Sequence, residues 1–558
     1  MSSDEKLTYL ALGGAGEIGM NMYLYGYGPV GAQRFILVDC GVTFPDMDRT
    51  PGVDLIMADP DFIARRADRL EGIFITHAHE DHVGALGLLR ERLPAPVFAR
   101  AFTGLIARQK LERAGQDPRG VTTVGPWPET VACGPFRVGF VPLSHSIPEA
   151  SGLVIETPAG RVFHTGDFKL DPSPLVGEAW DPAALEAIGD AGIRALVCDS
   201  TNVFTPTPGR SEASIVEDVT ALMRDAKGMV VATTFASNIA RLKTLAEAAR
   251  DAGRSVCVVG RAMQTMIQNG FSAGVLADFP PLVDVRDATG LPRDTLFVLA
   301  TGSQGERRAA SAQLAGGSYQ GLSLKPGDTF LFSSKTIPGN ETSVADILNQ
   351  LSQAGVRVID DSDGRYHVSG HANRPDLAAV HRLLRPDTVI PMHGEHRHLT
   401  AHAELARDGG FDAVVAPNGA MVDLTDTKAT VVDQIETGRV YSDGGPLIGA
   451  LDGIVRERLR MALRGHVIVS VMLEADSSPM GGAWVETVGL PAARDGEALG
   501  QVLEARLEAV LDQANRKTLD DDEALERALV KAVHSEAQTQ VGKKPVVTVM
   551  INRFDAGV

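Results

Sequence analysis

Apolar positions along this chain come in short runs broken by glycine, proline and acids, a pattern of many brief strands with helices between them. Up to residue 205, strands dominate. Residues 70–76 form an apolar strand running into a histidine cluster, and residues 161–167 and 195–199 form two more, each ending in an acid. From 206 to 365 the rhythm changes: helical patterns at 214–224, 239–252 and 343–354 alternate with apolar strands at 229–233, 255–259, 295–300 and 329–333. Such alternation predicts parallel βαβ units and a sheet covered on both faces. The histidine-rich pattern then resumes, so 206–365 reads as an α/β insertion into a discontinuous first domain of residues 1–205 and 366–450.

A basic helical linker at 451–465 leads into a last unit, 466–558, with strands at 466–473, 484–488 and 545–551 and helices at 497–516 and 521–540. In the second of these helices Ala524, Leu525, Ala528, Leu529, Ala532 and Val533 fall on one stripe. This predicts a small α+β module without a catalytic constellation, suited to scaffolding or oligomerisation.

Composition bounds the picture without choosing a substrate. At 558 residues the chain exceeds one core, and 44% hydrophobic with 22% charged residues is ordinary for a soluble globular protein. The polar start Met1 to Lys6 lacks the order of a secretory signal, and no apolar stretch is long enough for a bilayer. Cys40, Cys133, Cys198 and Cys257 are scattered, as expected of buried thiols in a cytoplasmic protein. A net charge of −18 argues against general attraction to nucleic acid or anionic lipid. It does not exclude a nucleic-acid enzyme, because metal ions and a local basic groove can still recruit phosphate.

Gly14-Ala15-Gly16-Glu17-Ile18-Gly19 matches a dinucleotide fingerprint, with Asp39 at a fitting distance. That function needs a helix to start directly after the glycines, so that its amides meet a pyrophosphate. Here residues 21–28 alternate like a strand and residues 33–38 form a returning one, so the prediction is a hairpin with a tight glycine turn near the site.

The chemistry centres on His77-Ala78-His79-Glu80-Asp81-His82. In an extended segment His77 and His79 point the same way, while Asp81 and His82, at the turn into a helix expected near Val83, can face a second position. Clustering three histidines and two acids is costly without a cation, and the donor set suits zinc. Further candidates are His145 in Leu143-Ser144-His145-Ser146-Ile147-Pro148, Asp167 at a strand end where it could bridge two metals, and His393 after another apolar strand.

The ordered set Asp39, the HxHxDH run, His145, Asp167 and a late histidine resembles the metallo-β-lactamase superfamily. Asp199, His371 in Ser369-Gly370-His371-Ala372, and His393 around an inserted α/β domain resemble its nucleic-acid-processing β-CASP branch. The phrases around Gly14, His145-Ser146-Ile147-Pro148-Glu149-Ala150 and Thr301-Gly302-Ser303-Gln304-Gly305-Glu306 resemble the ribonuclease J family, over roughly residues 7–450. The implied fold is an αββα sandwich with an inserted β-CASP domain and a small C-terminal α+β domain. The implied site has one metal on His77, His79 and His145, a second on Asp81, His82 and His393, and Asp167 bridging. Two zinc ions are expected, with manganese or magnesium as alternative activating ions. Asp39 and Asp199 are expected behind the ligands, fixing histidine tautomers, with strand-end capping as the structural alternative. His371 is the candidate to stabilise phosphoryl oxygens or protonate the leaving oxygen, and His367 is read as its neighbour on one strand.

Residues 233–238 lie between a strand and a helix, where Ser237 and Asn238 suit either a phosphate or an ordinary helix cap. The resemblance favours a 5′-monophosphate pocket of Ser237, Asn238 and the Gly370, His371 and Ala372 backbone. It implies a cytoplasmic nuclease acting on single-stranded RNA both internally and from the 5′ end, without membrane association, as a homodimer or homotetramer. A DNA-repair nuclease, a thioester hydrolase and a non-catalytic RNA-binding scaffold stay open at this point. The long insertion counts against the thioester enzyme, and the full ligand set counts against the scaffold.

Overall fold

A computed structural model describes residues 5–337 and 339–554. The polar start up to Asp4 and the last four residues of the C-terminal module lie outside them. Contacts divide the chain into two compact units, residues 1–44 with 55–440 and residues 45–54 with 441–558.

The first unit is built on two large sheets. One has eight strands, in the order Thr430–Gln434, Ala420–Asp423, Glu5–Gly13, Met22–Pro29, Arg34–Val38, Leu70–Phe74, Val97–Ala99 and Val121–Thr123. The other has seven, ending in Gly160–His164, Ala195–Asp199, Thr388–Met392 and Asp412–Ala413. Period-two side chains explain how they stack. Leu153, Ile155 and Val197 face Tyr9, Tyr25, Ile36 and Phe74 in the core between the sheets. Their neighbours Val154, Leu196 and Cys198 face the other way, against Leu185, Leu377, Val380 and Ala406. These outward partners come from helices Pro182–Asp190, Arg374–Leu384 and His396–Asp408. Strand Ala195–Asp199 is buried at every position, which is why it reads as an unbroken apolar run. The architecture is the expected αββα sandwich.

The inserted segment forms a separate five-stranded sheet, ordered Ser255–Val259, Leu296–Ala300, Val230–Thr233, Thr329–Phe332, Arg357–Ile359. Every pair in it is parallel, as the helix–strand alternation predicts. In the second unit, strand His466–Glu474 pairs antiparallel with Trp484–Val488 and parallel with Val546–Phe554. Helices Leu499–Gln513 and Asp522–Val541 cover one face through Leu503, Leu507, Leu525, Leu529 and Val533.

The expected hairpin is present, with Met22–Pro29 antiparallel to Arg34–Val38, and the glycine-rich phrase connects it to the preceding strand. Glu5–Gly13 pairs antiparallel with Met22–Pro29, and no helix follows the glycines. Gly14 has φ +86°, and a Cβ there would lie 2.2 Å from Asn21 Oδ1 and 2.3 Å from Tyr23 Oη. Its carbonyl accepts the His393 N–H at 2.7 Å, so the turn buttresses the late histidine.

Three local expectations need correction. The helix after the histidine cluster spans Glu80–Val83, so Asp81 and His82 lie inside its single turn, not before it. Strand Gly160–His164 stops short of Asp167, which follows a turn at Gly166 (φ +56°). His367 and His371 share no strand. Their segment is irregular because side chains take its carbonyls: Ser333 Oγ donates to Tyr366 O, His145 Nδ1 to Gly370 O and Asn202 Nδ2 to His371 O.

Candidate metal centre

Residues from five strand ends meet at one edge of the sandwich. Ligand atoms of His77, His79, His145 and Asp167 lie within 4.8 Å of one another, and so do those of Asp81, His82, Asp167 and His393. A third overlapping group joins Asp167 and His393 to Asp199 and His371. Asp167 belongs to all three and is 2% exposed.

The ring orientations fit a cation. His77 Nε2 and His145 Nε2 each stand 3.1 Å from His79 Nδ1, converging on one point. The far nitrogens of His77 and His145 are engaged elsewhere: Thr76 Oγ1 is 3.0 Å from His77 Nδ1, and His145 Nδ1 donates to the Gly370 carbonyl at 2.5 Å. Burial holds all three imidazoles neutral, pushing His79 down to about 4 and the other two well below their ordinary value. Three neutral lone pairs aimed together are what a metal ion, not a proton network, satisfies. Asp167 Oδ1 is buried without a hydrogen-bond partner, a costly state that a cation would relieve.

The second group is organised by acids. His82 Nε2 lies 3.2 Å from Asp167 Oδ2, and its Nδ1 donates to Asp39 Oδ2 at 2.7 Å. Asp39 also accepts from the Thr76 N–H at 2.8 Å and is fully buried. His393 Nε2 lies 3.2 Å from Asp81 Oδ2, and its Nδ1 is 2.8 Å from Thr201 Oγ1. Burial opposes charge on His393, but Asp167, Asp199 and Asp81 outweigh it and raise its pKa to about 10. Both Asp39 (φ +63°) and His393 (φ +49°) sit in the left-handed region, a strained backbone that functional sites tolerate when the surroundings enforce it.

His371 stands beside this centre, 22% exposed, with Nδ1 donating to Asp199 Oδ2 at 2.8 Å. Burial works against its protonated form, but Asp199 and then Asp167 hold the pKa above the ordinary value. Asp199 also accepts from the Thr201 hydroxyl at 2.7 Å. Ser237 and Asn238 lie in the inserted unit at the start of helix Ile239–Asp251, where Asn238 Oδ1 accepts from the Arg241 N–H as the helix cap. Gly370 is tied to His145, and Ala372 is buried in the core behind the seven-stranded sheet.

Sequence reasoning missed Asn21, Thr76, Thr201 and the Gly370 carbonyl, which orient the imidazoles. Asn21 Nδ2 lies 2.9 Å from His82 Nε2 and donates to the Asp81 carbonyl at 3.0 Å. Thr76 directly precedes His77, so asking what holds each second ring nitrogen would have pointed to it.

Comparison with known proteins agrees with this geometry. Residues 34–195 match the beta-lactamase superfamily domain, and residues 365–417 match the Zn-dependent metallo-hydrolase RNA specificity domain. Residues 227–351 match the family described as ribonuclease J, beta-CASP domain, and residues 453–554 the ribonuclease J C-terminal domain. The chain is 41% identical to ribonuclease J of Sinorhizobium meliloti, over 99% of this chain and 98% of that one. It is 36% identical to ribonuclease J of Mycolicibacterium smegmatis over 90% of each chain, and 29% identical to ribonuclease J2 of Bacillus subtilis over 98% of each. A solved protein of unknown function from Enterococcus faecalis V583 shares the fold, with TM-score 0.52 and 17% identity, covering 75% of this chain and all of that one. Sequence likeness along nearly the whole length, with a histidine and aspartate centre in the sandwich, shows that the chain belongs to the ribonuclease J family, in the β-CASP branch of the metallo-β-lactamase superfamily.

Proposed function

We propose that the chain matures and degrades single-stranded RNA, cutting internally and stepping 5′ to 3′ from 5′-monophosphate ends, with two zinc ions in the two ligand groups. Family membership makes it a metal-dependent ribonuclease, a hydrolase of phosphodiester bonds. The observation that carries the two-ion reading is Asp167, a buried carboxylate common to both ligand groups. When bound, such a pair of ions supplies an activated water nucleophile and offsets the charge that grows on the phosphate. His77, His79 and His145 would hold one ion and Asp81, His82 and His393 the other, with Asp167 between them. Manganese or magnesium are the alternatives as activating ion.

The protein's own groups do the rest. Asp39, Thr76, Thr201 and the Gly370 carbonyl engage the histidines' second nitrogens and so fix which nitrogen faces inward. Asp199 occupies His371 Nδ1, which leaves Nε2 to donate to a phosphoryl oxygen or to the leaving oxygen. Ser237, at the start of helix Ile239–Asp251, and the segment Gly370 to Ala372 would frame a pocket for a 5′-monophosphate. Asn238 contributes mainly by capping that helix. RNA with a 5′-monophosphate should be degraded about tenfold faster than matched 5′-triphosphate RNA, the scale of one charge-assisted hydrogen bond. Equal rates on the two ends would remove the pocket from this account.

Free, buried cysteines support a cytoplasmic setting. Among the described residues no helix is long and apolar enough to cross a membrane. The uncovered face of the C-terminal sheet carries Met472, Trp484, Val488 and Met550, each at least 44% exposed, which supports assembly into a homodimer or homotetramer through this module. Light scattering should return a dimeric or tetrameric mass, and a monomer would overturn that assembly.

A further inference from the structure

Arg241, a charged group on helix Ile239–Asp251, is among the largest fully buried side chains of the described residues. A guanidinium survives burial only where its donors are matched. Nε and Nη2 donate to the two oxygens of Glu212 at 2.5 and 2.8 Å, a planar fork that lysine cannot copy. Nη1 donates to the Ser333 carbonyl at 2.8 Å, to Ser333 Oγ at 2.9 Å and to His367 Nδ1 at 3.0 Å. Because a guanidinium only donates, His367 must accept at Nδ1 and is neutral. Burial and then the Arg241 charge hold its pKa well below the ordinary value, which leaves His367 no acid role. Burial pushes Glu212 towards neutrality, and the Arg241 guanidinium outweighs this, holding the carboxyl below its usual range.

Each partner leads to a different piece of the site. The Arg241 N–H is received by Asn238 Oδ1 at 3.0 Å, which joins the guanidinium to the loop at 233–238 through one helical turn. His367 opens the irregular segment that delivers Gly370 and His371. The Glu212 N–H donates to Asp171 Oδ2 at 3.0 Å, and Asp171 pairs with Lys169 Nζ at 2.9 Å, two residues beyond Asp167. The Lys169 N–H in turn donates to the carbonyl of Ser144, beside His145.

We infer that Arg241 is a positioning residue: locked on Glu212, it holds the loop at 233–238 and the segment at 367–371 at a fixed separation, and so sets the RNA 5′ end against His371 and the metal ligands. This rests on the roles proposed above for that loop and for His371. Nothing about folding alone demands a charge here, since replacing both partners of a buried ion pair by apolar residues is often neutral or stabilising. Catalysis is less forgiving, because an ångström of misplacement costs about a hundredfold.

The test compares full-length wild type, R241M and the double variant R241M/E212M, each loaded with metal. R241M alone should lose thermal stability, because it strands the Glu212 charge in the interior. The double variant should regain the wild-type Tm and metal content, yet lose about ten- to a hundredfold in kcat on 5′-monophosphate RNA, with KM moving by less than about threefold. Added to H371A, the double substitution should cost little more, because both act on one arrangement. A double variant with wild-type kcat would overturn the inference. So would one that fails to fold or sheds its metal, which would make the pair a support of the fold. Wild type that cleaves 5′-monophosphate and 5′-triphosphate RNA equally would sink the pocket and leave Arg241 to be judged by kcat on internally cut RNA. Wild type inactive on all RNA would sink the function and this inference with it.

Discussion

Asp167→Ala is expected to strip metal from both ligand groups and to reduce RNA cleavage by about a thousandfold or more, the upper scale for losing one preorganised electrostatic contact. The reason is its position. Asp167 Oδ2 lies 3.2 Å from His82 Nε2 and 3.8 Å from His77 Nε2, and Oδ1 lies 3.6 Å from His393 Nδ1, so one carboxylate touches both groups. His82 and His393 also lose the neighbouring carboxylate that raises the pKa of each imidazole. His79→Ala, by contrast, leaves Asp81, His82, Asp167 and His393 intact and should empty one group first. Elemental analysis of purified variants beside a cleavage assay decides this. An Asp167→Ala protein that keeps its full metal content would show that the carboxylate does not join the groups.

His371→Ala should separate chemistry from metal binding. The residue touches Asp199, and its Nδ1 lies 4.0 Å from Asp167, so removing it leaves both ligand sets of three histidines or mixed donors in place. The expected loss is about 10²–10⁴-fold in kcat, the range for a general acid or a positioned proton donor. Metal content should stay at the wild-type level. Equal loss of metal and cleavage would reassign His371 to the ligands, and near-normal cleavage would remove it from the chemistry.

The sequence made some of this legible and hid the rest, for physical reasons. His77, His79, Asp81 and His82 were readable as a cluster because they are close in sequence and two-residue spacing on extended chain aligns the first pair; that Asp81 and His82 sit inside a helical turn was not. The parallel sheet of the insertion was readable from helix–strand alternation, and the hairpin from period-two patterning after Gly19. Apart from Thr76, which adjoins His77, what supports the histidines was not readable. His145 meets Gly370 across 225 residues and Thr201 meets His393 across 192, contacts that no local window contains. The strand expected through His367 and His371 failed because side chains, not a neighbouring strand, satisfy its carbonyls. Arg241 was invisible for the opposite reason. In sequence it looks like a solvent-facing helix arginine, but its helix is buried on most sides and its partners come from distant segments.

The strand Thr388–Met392, which delivers His393, lies parallel to and directly beside Ala195–Asp199, and the whole inserted sheet is translated between them. His393 meets Asp81 across 312 residues. During synthesis, Asp81 and His82 leave the ribosome long before His393 can join them. On the proposed ligand assignment, a ribosome-bound chain that ends before this strand lacks one of the residues that would hold the second ion. Closing so large a loop is also slow. Activity should thus arrive late and all at once, a delay built into the order of the chain.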